Sequence, residues 1–190
     1  KYYGIGVGAP EKGYAVVNNT NVQLRERVLR KIKGNLFAGA EFDFQKMYNV
    51  SFTKTNPVNY DYPTGYQGSS NMGLGVGLVY DNRKNVMNVR EGLFAELAFL
   101  NYSASLGSTH SFRSTQFDLR YFRKGINPGD VLALQGSALL NKGDAPFNQM
   151  AMMGGESMMR GYYLGRFRDK NMLATQAEYR FLPFAFSKRL

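Results

Sequence analysis

Cysteine and tryptophan are absent from this chain, and histidine occurs once, at position 110. Without thiols, neither a disulfide framework nor a thiolate metal site can form. One imidazole cannot supply the ligand set of a zinc centre either, so no metal and no cofactor is expected. Proline is scarce, with 6 residues, and no apolar run reaches the roughly 18 residues of a transmembrane helix. The opening Lys1-Tyr2-Tyr3 has none of the features of a secretory leader and passes almost at once into strand-like sequence. A chain bound for export would then have lost its leader or be an internal part of a longer protein.

What is present points to strands. The chain has 13 Tyr, 14 Phe and 21 Gly in 190 residues, enough for one domain over 1–190. Mean hydropathy is −0.36. That average does not exclude a membrane barrel, because lipid-facing and lumen-facing residues alternate and cancel. The net charge of +10 raises nucleic acid or anionic lipid as partners. The cations are spread singly, with no recognition helix and no aromatic RNA-binding signature, so nucleic acid is set aside.

Period-2 alternation dominates. From Leu36 to Phe52 one face reads Leu36, Ala38, Ala40, Phe42, Phe44, Lys46, Tyr48, Val50 and Phe52, while the other carries Glu41, Asp43 and Gln45. At about 17 residues this strand exceeds the roughly 9–11 that cross a bilayer. In 71–81, Met72, Leu74, Val76 and Leu78 alternate with Gly73, Gly75 and Gly77. Two readings fit those glycines: a lumenal plug or loop against that face, or a close-packed neighbouring strand. Further strands are expected at 2–9, 14–32, 92–105, 111–125, 131–141 and 171–186, about eight in all. In 14–32, Glu26 and Arg30 interrupt the apolar face and are expected above the bilayer. Short connections at 126–130 and 107–109 contrast with long ones at 53–70 and 142–168, the asymmetry of outer-membrane barrels. The fold class is therefore all-β, an antiparallel transmembrane β-barrel.

No catalytic constellation stands out. His110, flanked by Ser108, Thr109 and Ser111, reads as turn polarity, since no nucleophile elbow accompanies it. Gly4-Ile5-Gly6-Val7-Gly8 lacks the Lys-Ser/Thr ending and the helix of a phosphate loop. The carboxylates Glu41, Asp43, Glu96, Asp118 and Glu178 are expected on the lumenal face, matched by Arg120 and Arg180, because an unpaired charge in a narrow lumen is costly.

The most distinctive stretch is Gly154–Asp169, GGESMMRGYYLGRFRD, a basic and aromatic loop between strands. With Tyr80–Gly92, YDNRKNVMNVREG, it resembles the Omp85 superfamily, in particular the BamA/TamA-like bacterial surface antigen barrels of Bacteroidetes-type bacteria. Asp81, Arg83 and Gly92 match that family's strand-end element, with Val89 and Arg90 standing where a proline is common. Gly154, Gly155, Arg160, Gly161 and Tyr162 match its sixth extracellular loop, with Met159 in place of a β-branched residue. The resemblance implies a loop folded into the lumen, its Arg160 locked by an acidic residue on the next strand; Glu178 is the candidate partner, and Gly161 would let the backbone turn tightly beside the wall.

The resemblance also implies a barrel of about 16 strands, of which this chain would supply the fifth to twelfth, with no periplasmic POTRA domain within it. It implies assembly, insertion or translocation of outer-membrane proteins in the bacterial outer membrane, without covalent chemistry. The partners would be outer-membrane lipid, nascent outer-membrane proteins and accessory envelope proteins. The alternative is a passive outer-membrane pore or surface-binding barrel of the same fold.

Overall fold

The computed structural model describes residues 1–6, 8–9, 13–55, 61–156 and 158–181. Seven long strands form one antiparallel sheet: β1 (Tyr14–Lys33), β2 (Leu36–Thr55), β3 (Ser69–Asp81), β4 (Gly92–Tyr102), β5 (Phe112–Lys124), β6 (Val131–Gly143) and β9 (Asn171–Arg180). Each pairs with the next in sequence, so the sheet is a pure meander. A separate hairpin, β7 (Ala151–Met153) with β8 (Phe167–Asp169), lies within the connection from β6 to β9. Among the described residues no helix is long and apolar enough to cross a membrane.

Among the described residues of 2–9 the expected strand is not seen. Tyr2 makes a single bridge to Ala15, and Gly4 and Gly6 take φ of 105° and 74°, left-handed values that end an extended run. The last strand begins at Asn171 as expected and is described to Arg180; residues 182–190 lie outside the described part. The connections separate by end. Residues 34–35, 82–91 and 125–130 lie at one end, and 61–68, 103–111 and the described residues of 144–170 at the other. The short connections expected at 107–109 and 126–130 thus lie at opposite ends, and 107–109 belongs with the long loops.

Alternation sorts the side chains as expected on most strands. Val28, Val76, Leu97, Phe117, Leu134 and Leu173 stay exposed on the convex face. A continuous belt of that kind is an interaction surface, and hydrocarbon satisfies it. Glu26 and Arg30 face the same way, in register with Phe42 and Ala38. They therefore lie alongside the apolar stripe of β2 and not above it, because the two-residue turn Gly34-Asn35 fixes the register of this hairpin.

The β1–β2 register shifts at two places, one beside the turn, between Lys31 and Lys33, and one farther along. Thr20 pairs with Tyr48 but Asn18 pairs with Ser51, so β2 carries one extra residue, and Asn49 there adopts φ 54°. This bulge reverses the alternation beyond it. Val50 and Phe52, expected on the outer face, pack instead with Tyr2, Ala15, Met47 and Phe147.

The sheet curls strongly. Arg25 on β1 donates to Gln116 on β5 at 3.0 Å. In a flat sheet those strands would be about 19 Å apart, four spacings of about 4.8 Å, beyond the reach of the two side chains. The inner-face glycines of β3 make the curl possible. A Cβ on Gly77 would stand 2.3 Å from Glu41 Oε1, and one on Gly73 would stand 2.6 Å from the Tyr102 ring. The bulk against these glycines comes from side chains of neighbouring strands, which answers the choice left open by the sequence.

Concave face and inserted loop as the candidate functional site

The curl gathers the polar residues of β1, β2, β4 and β5 into one network. Glu41, with a fully buried carboxylate, meets Arg25 at 3.2 Å and Arg27 at 3.1 Å. Arg27 also reaches Glu96 on β4 at 2.6 Å. Asp43 accepts from Gln23 at 3.0 Å and from the Tyr102 hydroxyl at 2.7 Å. Asp118 and Glu178 are matched by Arg120 and Arg180, at 2.6 Å and 3.2 Å, as expected. Glu41 and Asp43 meet Arg25, Arg27 and Gln23 of the adjacent β1, but the contacts of Glu96 with Arg27 and of Asp43 with Tyr102 were not legible in advance, because they join strands three and two positions apart around the curl. Only the Glu41 carboxylate is fully buried, and removing both of its arginines would leave that charge uncompensated, at a cost of about 3–5 kcal/mol.

Above this network, at the long-loop end, the β6–β9 connection folds onto the concave face. Its first limb is held by Ala145, Pro146, Phe147 and Met150, all buried. The Phe147 ring packs edge-on against Tyr2 and Phe52 at 5.9 and 5.6 Å, and its N–H donates to the Thr64 carbonyl at 2.9 Å. Asn141 on β6 donates to the Gln149 carbonyl at 3.1 Å. A cavity of about 410 Å³ remains between the limb and the inner wall, lined by Gln23, Arg25, Asp43, Tyr102, Gln149 and Arg168 among others.

Arg168 on β8 is the deepest cation of the loop. Its guanidinium donates to the Phe147 carbonyl and to Met152 Sδ, and lies 5.4 Å from the Phe147 ring centre and 5.7 Å from that of Tyr2. Burial pushes its pKa below the ordinary guanidinium value, against a smaller opposing effect of Tyr2. Sequence reasoning passed over Arg168; its one signal was a place in an aromatic, Gly-rich run.

The motif residues occupy the far part of the loop. Gly154 adopts φ 112°, and a Cβ there would stand 2.2 Å from the Tyr163 carbonyl oxygen, so glycine is required. Gly155 donates to the Tyr162 carbonyl at 2.9 Å, closing the turn. Gly161 has open space around it, so the tight approach falls to Gly154 and not to Gly161 as expected. Arg160 is exposed, and Tyr162 packs edge-on against Phe167 at 5.2 Å. Arg160 and Glu178 are close enough to interact electrostatically but form no direct ion pair; the Glu178 carboxylate is bridged to Arg180.

At the opposite end, Asp81, Arg83 and Gly92 come together. The Asp81 carboxylate accepts from the Arg83 backbone N–H, Nε and Nη2 at 3.0, 2.9 and 2.8 Å. The Arg83 guanidinium rests over the Phe94 ring at 4.5 Å. Gly92 has φ 126° and would bring a Cβ to 3.0 Å from Arg83 Cα. His110 differs from the reading as free turn polarity: its side chain is 14% exposed and Nδ1 lies 3.1 Å from Asp144 Oδ2. It ties the β4–β5 connection to the root of the inserted loop, because the curl brings those two loops together.

The model of the Omp85 superfamily domain matches residues 9–189. The chain belongs to the Omp85 superfamily. No curated protein matches it. In general, members of this superfamily reside in the outer membrane, where they insert or translocate proteins. The curled meander and its convex apolar belt are the barrel architecture that this membership calls for.

Proposed function

We propose that this Omp85 domain serves the assembly, insertion or translocation of outer-membrane proteins, in the manner of the BamA/TamA-like surface antigen barrels, with the β6–β9 loop as a lumenal lock. The observation that carries this reading is the anchoring of that loop on the concave wall by Phe147 against Phe52 and by Asn141 on the Gln149 carbonyl, with Arg168 tying the return limb to Phe147. Nascent outer-membrane proteins, accessory envelope proteins and outer-membrane lipid are the partners, and no covalent step is involved.

In the lock, Glu178 holds Arg160. The carboxylate is bridged to Arg180 across a pair that is 48% and 39% exposed. Exposed pairs of this kind contribute about 0–1 kcal/mol, so exchanging Arg180 for Arg160, or sharing the carboxylate between them, costs little free energy. The loop tip thereby has two states close in energy, as a gate needs.

The test uses the complete protein in liposomes, with Arg160→Glu, Glu178→Arg and the double exchange. Each single variant is expected to lower insertion of an unfolded outer-membrane client at least tenfold, and the double exchange to restore it. Wild-type activity in both singles rejects the lock. Ion conductance without any client insertion by the wild type would reject the assembly reading in favour of a passive pore.

A further inference from the structure

On the convex face, register places Asn101 of β4, Arg113 of β5 and Lys142 of β6 in one row, each directly opposite the next. The row one step further from the long loops is Phe99, Thr115 and Leu140, the start of the apolar belt. Along β5 the next outward-facing cation is Arg123, ten residues on. That stretch spans about 34 Å of strand, and about 26 Å once tilted by about 40°, close to the roughly 25 Å height of a lipid-facing band. Arg113 and Lys142 therefore stand at the level of the lipid headgroups on the long-loop side.

Two cations directly opposite each other on adjacent strands repel. Nothing in the described residues relieves this pair: neither side chain enters an ion pair or hydrogen bond, and both are exposed. The nearest acid in sequence, Asp144, is turned toward His110. Lys170 adds a third cation at this rim, its ammonium 3.0 Å from the carbonyl of Gly143, the residue after Lys142. A phosphate between Arg113 and Lys142 converts the repulsion into charge-assisted hydrogen bonds.

The geometry points to a binding site for the phosphate of an anionic membrane lipid, made by Arg113 and Lys142 with Lys170 beside them. The occupant is a lipid and not a free ion because the apolar row lies immediately below the cations, where acyl chains would run. The site rests on the membrane-barrel reading of the convex face and is independent of the loop lock.

The experiment is native mass spectrometry of the complete protein in mild neutral detergent, titrated with phosphatidylglycerol, phosphatidylcholine or inorganic phosphate. The wild type is expected to retain phosphatidylglycerol in preference to phosphatidylcholine. The Arg113→Gln/Lys142→Gln variant should lose about fivefold in phosphatidylglycerol affinity for each charge removed, with phosphatidylcholine unchanged. The exchange Arg113→Lys/Lys142→Arg keeps both charges and should keep the preference. In detergent alone, Lys142→Gln should not lower the unfolding temperature, since it removes only a repulsion. Equal retention of phosphatidylglycerol by the wild type and the Gln variant overturns the site, as does a parallel loss of both lipids. Displacement of the lipid by millimolar inorganic phosphate overturns it in favour of an ion site.

Discussion

Arg160 and Arg168 stand eight positions apart in one basic, aromatic run, yet they do different work. Arg168 is enclosed by Phe147, Met152 and Tyr2. Arg160 stands in solvent at the loop tip. Arg168→Ala removes a charged hydrogen-bond donor and two ring contacts, a loss of about 2 kcal/mol. Hydrogen exchange in 145–153 should accelerate roughly 30-fold, the same quantity expressed as local opening. Arg160→Ala should leave exchange in that limb within a factor of about two, since exposed substitutions stay within about 0.5 kcal/mol. Equal effects would mean that the tip, too, anchors the loop. The sequence singled out Arg160 by motif and could not rank the two by depth. Depth depends on Tyr2 and Phe147, which are brought together only by folding.

At the scale of the strand, the glycines of β3 separate two roles that look alike in sequence. Gly73 and Gly77 lie under Tyr102 and Glu41, whereas Gly136 on β6 has nothing within 4 Å of a Cβ and no left-handed φ. Gly77→Val forces the Glu41 carboxylate out of its contacts with Arg25 and Arg27, and overpacking of this kind costs about 1–3 kcal/mol. Gly136→Ala should be neutral or stabilise by about 0.4–1 kcal/mol, through the unfolded chain. Urea titration of the folded barrel in detergent micelles distinguishes these outcomes, and equal destabilisation by both would contradict the packing described for β3. The bulge at Asn49 gives a similar lesson. Alternation carried the assignment of β2 correctly to Tyr48, then failed, because one inserted residue exchanges the faces and leaves no mark in hydropathy.

At the scale of the molecule, the inner and outer surfaces face different solvents. Val76, 62% exposed, sits midway along the outward row of β3, between Leu74 and Leu78. Val76→Arg should destabilise the protein by about 2–4 kcal/mol in lipid, as for cations at the midplane of other barrels. In urea without lipid or detergent the same change should cost far less. Measuring both in parallel tests whether this face meets hydrocarbon. The Glu41–Arg27–Glu96 chain, buried at Glu41 and half-buried beyond it, works on the other surface: it links β1, β2 and β4 through the concave interior.

The sequence by itself determined the strand class, the seven long strands of the sheet, the outward apolar belt and the family, because period-2 alternation and short motifs are local properties. It also located the loop that carries Arg160-Gly161-Tyr162. Only the tertiary structure decided that Tyr2 makes a single bridge to Ala15, which carboxylate meets which guanidinium, and that Phe147 anchors the inserted loop with Arg168 tied to it. Those outcomes depend on curvature, which brings β1 to β5 and places the long loops over the concave face. Curvature depends on side chains of one strand seated over glycines of another, and no short window along the chain contains both partners of such a contact.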